Sequence, residues 1–350
     1  MAGHGGVSPF VKIFYIALNV FSACAIVFAN KIVFKTFRFH FVTTLTLVHT
    51  LFTWVGMLLL ARINFFTVKQ LSPLAVAPLA IGYVGYIILN NLSLNLNTVG
   101  FYQILKIAIA PTVMLLDFIL FKKVQTVRVM MSVFVVCLGV TAATVTDKVA
   151  VSNLTGMFVG LASVVVTAMY QIWAGSKQKE LQANSSQLLL AYTPQAILML
   201  LFMSPLLDDY GFSHRTPATV LGYEYTRQAI LAIVISSLLG ILVSLSTFLV
   251  IGATSSLTYN VVGHLKTILI LAGGCLIFGE DMPWKRLAGI GLTMLGIAWY
   301  TYLSVQSSNA AERGRVKGHE APSASHGIHG SHEREHEPLL PSKEGDGSVA

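Results

Sequence analysis

The sequence predicts an all-α membrane protein whose ten transmembrane helices form two inverted repeats of five. Three observations predict it. The 350 residues are 55% hydrophobic and only 11% charged, with a mean hydropathy of +0.71. An average soluble domain is about 25% charged, and a soluble globule lacks the interior to hide this much apolar surface. The apolar residues also fall into ten runs of about 20, the length that crosses a ~30 Å hydrocarbon core as a helix. Finally, a short motif ending in Leu-Lys recurs about 160 residues further on.

The spans follow in order. The first, 11–30, is long enough to cross, and no small-residue cleavage pattern with a polar mature segment follows it, so it is not read as a removable signal peptide. The second, 42–61, ends at the polar Arg62-Ile63-Asn64. The third, 74–95, carries Asn90, Asn91, Ser93 and Asn95, a polar cluster suited to a cavity wall. The fourth, 98–121, holds Lys106 and Pro111 and stops at Lys122-Lys123. Spans five and six, 127–146 and 154–174, are separated by Asp147-Lys148. In the sixth, Gly156-x-x-x-Gly160 is a pattern that supports helix packing or a homodimer. The seventh, 187–206, precedes the longest loop, 207–228, and then come 229–250, 257–278 and 285–304. The breaks near Leu96–Val99 and Gly252–Ser256 contain no charge, so each reads as a tight helical hairpin.

Charge separates the domain from its ends. Residues 1–304 hold 18 of the 23 Lys and Arg but only 8 of the 15 Asp and Glu, whereas 305–350 hold 5 basic and 7 acidic residues. This divides the chain into a short cytosolic N-terminus (1–10), a ten-helix domain (11–304) and a polar tail (305–350) expected to be disordered. The net charge of +8 is therefore no nucleic-acid footprint, since most basic residues sit at span ends and anchor them to the interface. An even number of spans puts both termini on one side. With cytosolic termini, interior and exterior basic residues balance at 8 each, and Arg313, Arg315 and Lys317 of the tail tip the count inward. Cys24, Cys137 and Cys275 lie in apolar runs with no disulfide or metal spacing.

Two lysines stand apart. Lys106 closes Val99-Gly-Phe-Tyr-Gln-Ile-Leu-Lys106, and Lys266 closes Tyr259-Asn-Val-Val-Gly-His-Leu-Lys266. They lie about eight and about nine residues into their spans, too deep to snorkel from a helix end. A charge there costs roughly 3 kcal/mol on insertion scales. Five helices separate the pair, so five-helix repeats must be inverted, a transporter design with a site at the midplane. The pair reads as cationic anchors for an anionic substrate in a watery cavity. The bland alternative, pairing with a carboxylate, fails within the fourth span, because Asp117 is about 16 Å further along the axis. Tyr102 shares a face with Lys106, and Tyr259 and Gly263 share one with Lys266. Each tyrosine suits either stacking on a ligand or interfacial anchoring. His49 and His264 suit proton transfer or, more often, packing.

The runs GFYQILKIAIAP (100–111), STFLVIGATSSLTYNVVGHLKT (246–267) and VFANK (27–31) resemble the nucleotide-sugar transporters of the drug/metabolite transporter superfamily. The likeness covers residues 10–304 and points to the branch with Lys-Thr in the ninth helix, which includes UDP-xylose and UDP-rhamnose/UDP-galactose carriers. It implies a five-plus-five inverted repeat and a Golgi antiporter that exchanges a nucleotide sugar for the nucleoside monophosphate across the bilayer. UDP-xylose is the expected sugar, UDP-galactose the runner-up, and UMP the counter-substrate. Lys106, Lys266, Tyr102 and Tyr259 would bind the ligand, Gly263 would admit it to the backbone, and Gln103, Asn260 and Thr267 suit uracil or sugar hydrogen bonds as well as interhelical bonds. Relatives that carry triose phosphates have Lys-Arg where Lys266-Thr267 stands here, and losing the arginine removes a bidentate phosphate fork. GDP-mannose carriers have Gly-Ala-Leu-Asn before that lysine, where this chain has Val262-Gly-His-Leu265. An organic-phosphate exchanger and a non-transporting scaffold are the alternative readings.

No enzyme chemistry, cofactor or metal is expected. His332-Glu-Arg-Glu-His336 matches a zinc-protease pattern but lies in the polar tail, without the packed helix such a site needs. Glu335-His-Glu-Pro-Leu339-Leu340 resembles a dileucine sorting signal, which points past the Golgi to post-Golgi or vacuolar membranes. No Gly-rich phosphate loop supports ATP-driven pumping.

Overall fold

Ten helices account for the regular structure, which a computed structural model describes over residues 7–97, 99–144, 154–278 and 283–319. They are α1 (Pro9–Lys35), α2 (Val42–Arg62), α3 (Pro73–Leu96), α4 (Val99–Phe121), α5 (Val127–Thr144), α6 (Leu154–Glu180), α7 (Ser185–Leu207), α8 (Arg227–Ala253), α9 (Ser256–Phe278) and α10 (Trp284–His319). Among the described residues, eight helices are long and apolar enough to cross a membrane. α5 contributes a shorter apolar stretch, Val127–Ala143.

Local sequence explains where the helices start. Pro9 and Pro73 open α1 and α3, at positions where the missing N–H would have no helical partner. Ser8 accepts from Val11 N, and Thr226 accepts from Ala229 N at 3.2 Å to cap α8. Asn184 and Gln187 form a reciprocal capping box at α7. α2 has no such residue, because Phe41 occupies its cap. Asp208, from the α7–α8 loop, supplies the acceptor instead: its carboxylate takes Thr44 N at 2.6 Å, Thr44 Oγ1 at 2.7 Å and Thr43 N at 3.4 Å.

The packing lies within the unit Met1–Ser304. α1 lies on α8 and α9, α3 on α6 and α7, α2 on α7 and α8, and α4 on α6 and α5. The expected hairpins need correction. The breaks occur at Asn97 and at Thr254–Ser255, but α3 and α8 lie mainly against other helices rather than against α4 and α9. A tight turn does not make neighbours of two helices whose larger apolar faces match other partners. Gly160 sits where an added Cβ would strike Leu105 of α4, so the α6 glycine pattern is used within the chain. α5 and α10 cross backbone to backbone: a Cβ on Gly139 would collide with Thr293, and one on Gly289 with Ala143. An aromatic group from α3, α6, α7 and α8 (Tyr83, Tyr86, Tyr170, Tyr192 and Phe248) packs ring against ring. α10 stays helical to His319, beyond the expected end of its span at 304, through a stretch rich in helix-forming Ala, Glu, Arg and Lys. The tail patterns at 332–336 and 335–340 lie outside the described residues.

Candidate functional site

A cavity of about 420 Å³ opens among α1, α2, α3, α4, α6, α8 and α9. Tyr102, Lys106 and Tyr259 line it, together with His49, Tyr83, Tyr86, Asn90, Tyr170, Gln171 and Thr247. The wall is largely aromatic and polar, with one cation projecting into it. Lys106 is exposed, and its Nζ stands 5.1 Å from the centre of the Tyr102 ring one turn earlier. Lys266 Nζ stands 4.5 Å from the centre of the Tyr259 ring two turns earlier. Each half thus sets a lysine over a tyrosine, a contact worth roughly 0.5–2 kcal/mol. Neither lysine pairs with a carboxylate among the described residues, and Asp117 lies 3.9 Å from Lys123 instead.

The other sequence-predicted residues sit around this group in different ways. Asn260 is buried and donates Nδ2 to Gln171 Oε1 at 2.5 Å and to Ser256 O at 2.9 Å, so it reaches the cavity only through Gln171. Thr267 donates to Gly263 O on its own helix at 3.1 Å. Gly263 faces open space, since an added Cβ would meet nothing within 4 Å. The Gln103 side chain lies outside the described residues. His49 bonds Ser236 Oγ at 2.9 Å, the packing role weighed for it.

Three features escape a one-dimensional reading. Asn19 of α1 accepts from Lys266 Nζ at 2.9 Å, and Asn90 of α3 donates to Thr167 of α6 at 3.1 Å. Tyr86 and Tyr170 stack at 5.0 Å against the cavity. A polar residue inside an apolar run was the available signal in each case, but nothing local says which helix it meets.

A layer of hydrogen bonds joins the helices at one end of this group. Ser256 Oγ donates to Gln171 O at 2.8 Å, Gln178 Nε2 to Phe248 O at 3.0 Å and Lys69 Nζ to Leu181 O at 2.9 Å. Beyond that layer lies a second cavity of about 280 Å³, lined by Asp117, Lys123, Ser176, Lys179 and Ser256. Toward the opposite end, Val42 and Thr46 at the start of α2 and Asn91 near the end of α3 line the cavity.

Residues 11–301 match the Triose-phosphate Transporter family. The chain belongs to that family. It is therefore a membrane transporter and not an enzyme. Among its relatives, UDP-xylose transporter 2 of Arabidopsis thaliana is 38% identical over 82% of this chain and 80% of the relative. UDP-rhamnose/UDP-galactose transporter 1 of the same plant is 35% identical over 82% of this chain and 81% of the relative. A crystal structure superposes with a TM-score of 0.66 over 85% of this chain and 99% of its own, at 11% identity, which speaks to the fold alone.

Proposed function

We propose that this family member is a Golgi nucleotide-sugar antiporter that carries UDP-xylose, with UDP-galactose second, into the lumen in exchange for UMP. The observation that carries the reading is the cavity that holds Tyr102, Lys106 and Tyr259, with Lys266 behind the Tyr259 ring. Two cations suit a diphosphate, and the tyrosines suit a base or sugar ring. The names of the relatives narrow the ligand to UDP-sugars. Thr267 argues against the organic-phosphate exchanger: its hydroxyl is committed to Gly263 O, so no phosphate fork stands beside Lys266.

The mechanism is alternating access between two repeats. Cavity positions recur in the two halves at one interval: Tyr83 with Gly240, Tyr86 with Val243, Ile87 with Ser244, Asn90 with Thr247 and Tyr102 with Tyr259, each 157 residues apart. The helix contacts recur too, since α3 on α6 corresponds to α8 on α1, and α4 on α6 to α9 on α1. Both patterns support a two-fold relation between α1–α5 and α6–α10. With cytosolic termini, the end of the cavity lined by Val42, Thr46 and Asn91 faces the lumen, and in this reading the bonded layer at Gln171 and Ser256 closes the cytosolic side. An empty site with two lysines lacking anionic partners reorients poorly, which favours exchange over net uptake.

Purified protein in vesicles loaded with UMP tests this, with a panel of labelled nucleotide sugars outside. UDP-xylose is expected to exchange fastest, with little uptake into empty vesicles. Preference for a triose phosphate or phosphoenolpyruvate would refute the substrate assignment. Lys266→Ala is expected to abolish exchange while the folded protein persists, and normal exchange by that variant would refute the site.

A further inference from the structure

The two lysines, each set over a tyrosine of its own helix, are held differently. Lys106 is exposed to the cavity, and among the described residues its Nζ meets the Tyr102 ring. Lys266 donates to Asn19 Oδ1 at 2.9 Å. Asn19 is fully buried, and its amide is held on both sides. Its Nδ2 donates to Ser246 Oγ at 2.9 Å and to Thr247 Oγ1 at 3.3 Å. Thr247 Oγ1 lies 3.5 Å from Tyr259 OH, and the Tyr259 ring lies under Lys266 Nζ. The contacts thus close on themselves through α1, α8 and α9. Because the two hydroxyls take up its N–H groups, the amide presents its oxygen to the ammonium.

The chemistry of that oxygen matters. An amide carbonyl is a neutral acceptor, and hydrogen bonds to it are weaker than those to a phosphate oxygen. It can hold Lys266 in an empty site and lose it to an arriving anion. Being neutral, it also leaves the lysine's charge uncancelled. We propose that Asn19 is a positioning residue that parks Lys266 in the empty transporter, yields it to substrate phosphate, and keeps the empty site charged so that transport stays coupled to exchange. The inference rests on the reading of Lys266 as a phosphate anchor. A carboxylate at position 19 would do the opposite on both counts: it would compete with the phosphate and neutralise the site.

Asn19→Asp changes the charge with almost no change in shape. In vesicles, its KM for UMP is expected to rise about tenfold, the difference between a neutral and a charged competitor. Its ratio of net uptake into empty vesicles to exchange is expected to climb severalfold, toward one. Asn19→Ala, which frees Lys266 without neutralising it, is expected to lower the KM for UMP and leave that ratio low. A purely structural Asn19 predicts something else, namely less folded protein, with unchanged KM and unchanged ratio in what remains; that result overturns the proposal. Lys266→Ala separates the two levels. If it transports normally, the phosphate-anchor reading fails. If it is inactive while both Asn19 variants keep the original KM and ratio, only the role of Asn19 fails.

Discussion

Replacing Asn260 by alanine tests the closed end of the cavity directly. In the structure, Asn260 Nδ2 donates to Gln171 Oε1 at 2.5 Å across the α6–α9 contact, and both residues are buried. In the proposed alternating access, α6 and α9 separate there, so this bond would oppose opening. Its loss removes a net ~1 kcal/mol, and it also strands a buried amide oxygen, a cost of about 1–3 kcal/mol in the closed state. Ser256 still donates to Gln171 O, so the layer is weakened and not abolished. A shift of about 1–3 kcal/mol corresponds to roughly 5- to 150-fold more of the state open at this end. The assay is labelling of Ser244→Cys, which lines the first cavity, by an impermeant thiol reagent added on the side of the bonded layer, in a background without Cys24, Cys137 and Cys275. Labelling is expected to accelerate at least severalfold in Asn260→Ala, and saturating UMP is expected to alter the rate. Equal labelling with and without the substitution, in folded protein, would refute the assignment of this layer as a gate.

Two further outcomes follow from the same geometry. Asp208→Ala removes all the side-chain caps on α2, beside Val42 and Thr46 of the cavity wall. It is expected to destabilise by about 2 kcal/mol, read as a thermal-unfolding shift of several degrees in detergent; an unchanged melting temperature would contradict the capping role. Tyr259→Phe keeps the ring under Lys266 and loses only a 3.5 Å hydroxyl contact, so exchange should change less than about threefold. Tyr259→Leu loses the ring face, and its KM for UMP should rise by about tenfold. Equal effects of the two substitutions would place the role of Tyr259 in its hydroxyl.

Much of the architecture is legible in the chain itself. A membrane helix satisfies its backbone hydrogen bonds within its own segment, so local composition is enough to place α2 to α5 and α7 to α9 within a few residues, whereas α1 and α6 continue past their expected ends at 30 and 174 to Lys35 and Glu180. Lysine over tyrosine is legible for a related reason: helical spacing puts Tyr102 and Lys106, or Tyr259 and Lys266, on one face before any tertiary contact forms. The breaks at Asn97 and Thr254 are equally local, but which helix each flanking segment lies against is not.

Tertiary structure decided the rest. Asn19 and Lys266 meet across most of the chain, and Asn260 and Gln171 meet from α9 and α6, 89 residues apart. Hydropathy treats each as an isolated polar residue in an apolar run. Lipid offers no hydrogen bonds, so such residues must find one another, yet their spacing in sequence carries no record of the choice. The same holds for Asp208, which caps a helix that its own flanking residues leave uncapped. The sequence alone determined that the chain crosses a membrane many times and carries a lysine well inside each of two apolar helices. Only the packing of α1 and α8 against α9 decided that one of those lysines is presented to the cavity and the other is held, because that difference rests on contacts between segments far apart in the chain.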